Sequence, residues 1–161
     1  MATIRHLVEE IRRRADCVVY PTGPSYRLRD VDRMPTDLAE FYSLCGGVHL
    51  HAGAPLSFRI VEPQDFVRAN PEIAGCEQPD DITDTWYVVA RCDLDVISID
   101  CSEARLGRCY DSFWDRHGVP GSCTVVALSF GQLLERLLRA SGAGLFWVDD
   151  PAMSHGDAYD Q

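Results

Sequence analysis

The chain of 161 residues contains no lysine, and all fifteen of its basic residues are arginine. This absence excludes mechanisms that need a lysine side chain, such as a Schiff base or the phosphate-binding lysine of a P-loop. The seven cysteines are scattered, with no pair at the Cys-x-x-Cys spacing that is typical of zinc and redox motifs. We therefore predict that they are small buried residues rather than disulfides, and we expect no metal and no cofactor.

Long apolar runs are also missing. No stretch approaches the ~20 consecutive apolar residues of a membrane-spanning helix. Charges interrupt residues 1–6, so we predict no signal peptide and expect a cytoplasmic protein with no membrane partner. A hydrophobic content of 46% is enough for one core. We assign residues 1–148 to a single domain and residues 149–161 to an acidic, flexible C-terminal tail.

The charge is unevenly distributed along the chain. Segment 1–34 contains seven arginines and five acidic residues, whereas the remainder contains eight arginines and twenty acidic residues. The net charge is −10. Such an acidic body disfavours nucleic acid as a partner, because phosphate binding needs clustered basic residues. It favours a basic protein partner. Acidity that serves only to keep the protein soluble explains the charge equally well.

Apolar periodicity predicts three main helices. Ile4, Leu7, Val8 and Ile11 form one helical stripe, and a second stripe begins at Leu38. The second helix is expected to have Thr36 as its N-cap and to end at residues 46–47, a glycine pair. A third helix follows Ser129, whose spacing to Gln132 is that of a capping box. A short helix is also predicted over residues 63–69.

The middle of the chain has the composition of strands. Aromatic and β-branched residues bounded by turn residues predict six of them. The predicted strands cover residues 48–51, 57–61, 86–91, 95–101, 107–111 and 123–128. Consecutive strands bracketed by helices predict an α+β fold with a single twisted, mostly antiparallel sheet backed by helices.

Two residue pairs are candidates for site chemistry. His49 and His51 share one face if they lie on a strand, where two imidazoles can bind a metal, but no third ligand is evident. Asp115 and His117 could form an acid–base pair. No nucleophile motif accompanies them, so a turn in which Phe113 and Trp114 pack inward explains the segment better than catalysis. As a protein-binding loop it has hot-spot composition.

Five aspartates in the middle of the chain raise the question of calcium. They lack the spacing of a calcium-binding loop, so a solvated face or a patch for a basic partner explains them better. They are Asp80, Asp81, Asp84, Asp93 and Asp95.

Three segments, in order, resemble motifs of the SUKH superfamily, which includes the bacterial Syd protein and fungal cell-wall-synthesis regulators. Residues 34–42, followed by two glycines, are similar to its "L/M-P-x-x-L-x-x-F-Y" helix. Residues 97–100 and 107–111 resemble its "I-x-I-D … G-x-V-Y" hairpin, although Cys109 stands where an aliphatic residue is usual. Residues 125–134 resemble its closing strand and helix. The resemblance implies a SUKH-like fold over about residues 34–140.

The resemblance also implies a function. Bacterial members are mostly immunity proteins, antitoxins that bind and block a toxin such as a nuclease or deaminase, and the family has no catalytic residues to carry over. We therefore expect an acidic immunity protein, a monomer or homodimer when free, that occludes a cognate toxin with a basic surface. A cytosolic regulatory or scaffold protein of the same fold is the alternative. The residues expected to contact the partner are Asp80, Asp81, Asp84, Asp111, Trp114 and Asp115.

Overall fold

The computed structural model describes residues 1–23 and 33–160. Over these residues the chain forms one antiparallel sheet of seven strands, in which each strand pairs with the next along the chain, and five α-helices. The predicted α+β class with one mostly antiparallel sheet is therefore confirmed. The strands are β1 (Val18–Val19), β2 (Val48–His49), β3 (Arg59–Ile60), β4 (Trp86–Cys92), β5 (Asp95–Asp100), β6 (Cys109–Asp111) and β7 (Val125–Ala127). The helices are α1 (Ile4–Arg13), α2 (Thr36–Leu44), α3 (Ala69–Ala74), α4 (Phe130–Arg139) and α5 (Phe146–Asp149).

The three long helices follow the predicted apolar stripes. In α1 all four stripe residues are buried, and in α4 the Ser129 hydroxyl accepts the Gln132 N–H as the predicted N-cap. The predicted N-cap Thr36 is wrong, because α2 begins one residue earlier and Pro35 occupies the cap without a side-chain hydrogen bond. The Asp37 carboxylate instead accepts the Gly131 N–H at 2.8 Å, which joins the first turns of α2 and α4.

Two elements differ from the sequence prediction. Residues 63–69 do not form one helix: a 3₁₀ turn covers Pro63–Asp65, and α3 follows it. Strand β1 was not predicted, because two valines are too short a run to show a strand period. It pairs with β2 and forms one edge of the sheet.

Both faces of β4 are covered, since residues 86–90 are all buried although side chains alternate along a strand. On one face Tyr87 stacks on Phe66 with ring centroids 5.1 Å apart, and Phe66 contacts Tyr42 of α2 edge-on. On the other face Trp86 stacks on Tyr110 at 3.8 Å. A continuous core therefore lies on both sides of the central strands.

The second face contains a buried carboxylate. Asp100 has no exposed surface, and its side chain accepts hydrogen bonds from Trp86, Arg105 and Tyr110 at 2.9 to 3.1 Å. The Thr85 hydroxyl and the Ser102 N–H also donate to it. Because all of these donors bond to the same carboxylate, the network holds the β5–β6 hairpin against β4.

The C-terminal segment lies against the sheet. The backbone of β7 residue Val125 exchanges hydrogen bonds with His155 and Gly156, and Ala158 is buried. The Cys123 N–H donates to the Asp157 carboxylate at 3.1 Å. Backbone pairing with β7 thus places part of this polar, acidic segment against the sheet.

Five of the seven cysteines are buried, as the sequence predicts, and two are not. All seven thiols are free; five are buried, whereas Cys17 is half-buried and Cys76 is exposed. No helix within residues 1–23 and 33–160 combines the length and the apolar content needed to cross a membrane.

Candidate partner-binding surface

The loop that follows β6, residues 112–118, holds one aromatic ring inside and one outside. Phe113 is buried, and its carbonyl accepts the N–H groups of both Arg116 and His117 in a tight turn. Trp114 is 78% exposed. The sequence interpretation in which both rings pack inward is therefore wrong for Trp114. Large exposed aromatic side chains are typical of protein-binding sites.

The buried side chain of Asp111 holds this loop in place. Its carboxylate accepts hydrogen bonds from the Arg116 guanidinium (2.7 Å), the Trp147 indole (2.8 Å) and the Phe113 N–H (3.2 Å). The predicted role of Asp111 as a contact does not fit its position, because the residue is only 1% exposed. Asp111 instead positions the residues on either side of Trp114.

The turn between β4 and β5 lies next to the loop. Ile97 pairs with Asp111, and the Ser112 N–H donates to the Val96 carbonyl at 3.0 Å. Asp95 follows the turn, and besides burial the charges of Asp111 and Asp115 raise its pKa, so these residues lie close to it. Leu94, at the tip of the turn, is 92% exposed.

Leu94 is not among the residues predicted from the sequence, although the sequence contains the necessary signal. A leucine between two aspartates, Asp93 and Asp95, cannot be buried if the segment is a tight turn between two strands. Asp93 adopts a φ of 52°, the left-handed conformation that such turns require. Here we call Leu94, Trp114, Asp93, Asp95 and Asp115 the Trp114 surface.

The carboxylates of the Trp114 surface are not fully neutralised by the nearby Arg116. Burial raises the pKa of Asp95, and the nearby carboxylates of Asp111 and Asp115 raise it further, while Arg116 only partly offsets them. The Arg116 guanidinium is held by Asp111 and lies over the Phe113 ring, 5.1 Å from its centroid. A cation supplied from outside would therefore be stabilised at this surface.

The other three predicted contact residues lie around a second turn, the 3₁₀ helix Ile82–Thr85. Asp80 is exposed. Asp81 caps the turn by accepting the Thr83 N–H at 2.9 Å, and the Tyr159 hydroxyl donates to it at 2.9 Å. Burial opposes ionisation of Asp81, but these hydrogen bonds outweigh it and lower its pKa. Asp84 forms an ion pair with Arg68 at 2.7 Å, and Arg68 also pairs with Glu77 at 3.0 Å, so one guanidinium is shared by two carboxylates.

The two sets of predicted residues are neighbours in the fold. The Asp81 carboxylate is close enough to His117 to favour its protonated form, although burial dominates. Gly118, at the end of the loop, packs against Thr83 and Tyr159: a Cβ atom built on Gly118 would lie 3.7 Å from both Thr83 Cγ2 and the Tyr159 hydroxyl oxygen. The 3₁₀ turn, the loop after β6 and the C-terminal residues therefore meet on one side of the molecule.

The candidate acid–base pair is not formed. His117 Nδ1 lies 3.0 Å from the Ser112 hydroxyl and Nε2 lies 2.7 Å from the Asn70 side-chain oxygen, whereas Asp115 points to solvent and contacts Arg116. Burial lowers the pKa of His117 to about 4. Because Ser112 has no exposed surface, no substrate can reach its hydroxyl, and this chain of hydrogen bonds is structural.

The two metal hypotheses from sequence also fail. His49 contacts Ser57, whereas His51 lies beyond the end of β2 with a φ of 52° and contacts Asp16, so the two imidazoles do not share a face. In the part of the chain that the structure describes, the five aspartates considered for calcium do not converge on a common point.

Comparison with known proteins agrees with a partner-binding role. No protein-family model matches the sequence. The chain is 38% identical over 161 residues to the immunity protein YokJ of Bacillus subtilis (strain 168), an alignment that covers 98% of this chain and 96% of YokJ. At this identity and coverage, the chain belongs to the family of the immunity protein YokJ.

Proposed function

We propose that this protein is an immunity protein that binds a cognate toxin and blocks it without catalysing a reaction. The observation that carries the proposal is the Trp114 surface, where an aromatic ring and an aliphatic tip stand exposed among three carboxylates. Family membership supplies the biological setting, because the relative is named an immunity protein.

The chemistry of the surface indicates the kind of toxin. A nuclease, or a deaminase that acts on nucleic acid, presents arginine and lysine side chains to phosphate groups. Asp93, Asp95 and Asp115 offer carboxylates that compete for the same cations, and their field accelerates encounter with a basic protein. The toxin is therefore of a nuclease or deaminase type, and the protein excludes substrate by covering its basic surface.

The exposed apolar groups supply affinity, since charge pairs at the rim of an interface contribute little. Trp114 and Leu94 would enter pockets of the toxin, while the exposed Asp80 adds long-range attraction. Asp81 and Asp84 act from the rim, where their existing bonds to Tyr159 and Arg68 keep the second turn in place.

We also propose that the chain is a member of the SUKH superfamily. Asp100 and Tyr110, which stand in the family's hairpin motif, are joined by a hydrogen bond at the centre of the buried network. The "I-x-I-D … G-x-V-Y" pattern thus has a physical reason in this chain, because the motif acid needs the motif tyrosine as a donor.

Co-expression with the toxin tests the proposal. The product of the adjacent gene is expressed from an inducible promoter, with and without this protein, and cell survival and co-purification are measured. We expect rescue together with a stable complex that weakens as salt concentration rises. Rescue without a complex, or a complex without rescue, would contradict neutralisation by binding.

The location of the surface is tested separately. Charge reversal of Asp115 to Arg, a residue with an exposed side chain, is expected to slow association at least tenfold at low salt. Glu103→Arg is the matched control, because Glu103 is also exposed but lies in the β5–β6 loop at the other end of β5. Equal effects of the two variants would show that only net charge matters.

A further inference from the structure

Three side chains with different ligand atoms meet at the end of α1, away from the Trp114 surface. Asp16 and Cys17 lie between α1 and β1, and His51 follows β2. One carboxylate oxygen, the thiol sulfur and one imidazole nitrogen lie within 4.8 Å of one another. His51 is 3% exposed, whereas the Asp16 side chain is 45% exposed, so the cluster has a buried wall and an open side.

The hydrogen bonds of His51 determine which ring nitrogen is available. Nε2 lies 3.0 Å from the Leu138 carbonyl oxygen, which can only accept, so Nε2 carries a hydrogen. Nδ1 lies 2.8 Å from Asp16 Oδ2. With the hydrogen on Nε2, Nδ1 is the ring nitrogen that can act as a ligand, and it lies on the Asp16 side of the ring.

We propose that Asp16, Cys17 and His51 form a binding site for a divalent transition-metal ion of the zinc class. Thiolate, imidazole and carboxylate are the three ligand types of protein zinc sites. The bond from Nε2 to the Leu138 carbonyl is the kind of outer contact that orients metal-binding histidines.

Three further contacts of the cluster bear on ion binding. The His51 backbone N–H donates to Cys17 Sγ at 3.5 Å and favours a thiolate, whereas burial and the nearby Asp16 carboxylate raise the pKa of this thiol, so its ionisation would be coupled to metal binding. The Cys17 thiol also donates to Asp16 Oδ1 at 3.6 Å, a bond that a bound ion would replace. Arg14 Nε donates to the same Oδ1 at 3.2 Å, so Oδ2, which contacts His51 Nδ1, is the oxygen that would bind an ion in a monodentate manner.

The distances between the three ligand atoms are in the range that a zinc site requires. A tetrahedral site with metal–ligand distances of about 2.0 to 2.3 Å places neighbouring ligand atoms about 3.3 to 3.6 Å apart. Nδ1 and Oδ2, now 2.8 Å apart, must separate slightly, and all three ligand atoms lie within 4.8 Å of one another. The exposed side near Asp16 leaves the fourth position to water.

A bound ion would connect three elements that are distant in sequence. The end of α1 and the start of β1 would be joined to the β2–β3 connection, and through the Leu138 carbonyl to α4. Binding to the folded state alone raises stability, so the ion would act as a stabilising ligand. This role is independent of the toxin-binding surface.

Cobalt binding tests the site. Chelator-treated full-length protein is titrated with Co²⁺, and thiolate ligation is followed by its sulfur-to-metal charge-transfer absorption. We expect one thiolate-bound Co²⁺ per chain, displaced by Zn²⁺, and a Zn²⁺-dependent rise in melting temperature. In Cys17→Ser the charge-transfer band should disappear and Zn²⁺ affinity should fall at least 100-fold.

Cys76→Ser is the matched control, because Cys76 is an exposed thiol outside the cluster. This variant should bind Co²⁺ like the wild type. Wild-type protein that shows no charge-transfer band, or a band that is lost in Cys76→Ser and kept in Cys17→Ser, would overturn the proposal.

Discussion

Trp114→Ala should weaken binding of the toxin while changing the stability of the free protein only slightly. If a toxin covered the 78% of the side chain that is exposed, about 195 Å² of a total of roughly 250 Å² would leave water. At about 25 cal/mol per Å² this burial contributes up to about 5 kcal/mol, and the costs of ordering and desolvation reduce it to about 2–4 kcal/mol. The dissociation constant should therefore rise about 30- to 1,000-fold.

The same substitution should have little effect on folding. The buried part of the ring is about 55 Å², so its loss costs at most about 1.4 kcal/mol, or a fall in melting temperature of less than about 6 °C. Phe113→Ala should instead lower stability strongly, because Phe113 is buried and its truncation costs about 3–5 kcal/mol. Isothermal titration with the purified toxin and thermal unfolding measure the two quantities.

A matched apolar pair controls this experiment. Leu94 and Leu106 are both exposed, but Leu94 is at the start of β5 and Leu106 is in the loop that follows its end. Leu94→Ala should weaken the complex, whereas Leu106→Ala should leave it unchanged. The reasoning is refuted if Trp114→Ala binds within threefold of the wild type, or if Leu106→Ala weakens the complex as much as Leu94→Ala does.

Three further predictions concern the buried and acidic groups. Asp100→Asn should lower the free energy of unfolding by about 3–5 kcal/mol in urea, because it leaves Arg105 and several other donors without a charged acceptor. Asp95→Asn should stabilise the free protein by a few tenths of a kcal/mol, a small value because solvent screens this partly exposed group, and should weaken the complex, because burial and then the neighbouring carboxylates raise the pKa of Asp95 and a partner cation would relieve their repulsion. Because the pKa of His117 is lowered from 6.5 to about 4, the unfolded state takes up its proton first, and stability should fall by about 2–3 kcal/mol as pH drops through this window.

Each of these predictions has a clear contrary result. An Asp100→Asn protein that unfolds at the wild-type urea midpoint would show that the network contributes nothing net. If Asp95→Asn destabilises the free protein, its carboxylate is favourably paired. For the pH effect, His117→Gln is the control, and a slope between pH 6.5 and 4 that is unchanged in this variant would assign it to other groups.

The fold was largely predictable because its main elements have strong periodic signals. The stripes of α1 and α4 and the hairpin of β5 and β6 all lie where the pattern placed them. Strand β1 was not predictable, because its two residues are held by pairing with β2 rather than by their own propensity. The packing of the C-terminal segment was missed for the same reason, since it depends on backbone hydrogen bonds to β7.

The site was only partly predictable, because composition identifies residue types but not their exposure. The segment containing Trp114 was identified from its hot-spot composition, yet Asp111 in the same segment is a buried support. The proximity of Asp93 and Asp95 to Asp115 depends on the register of β4, β5 and β6, which a single sequence does not reveal.

The buried position of Asp111 has a consequence for how a family of this kind can diversify. The side chains that hold the loop in shape, Asp111, Phe113 and Trp147, are covered, whereas Trp114 and Asp115 project beyond them. Substitutions at the projecting positions leave the supporting bonds intact, so they alter recognition at little cost to folding. Single substitutions at the exposed positions can therefore change which toxin is bound, while each successive variant still folds.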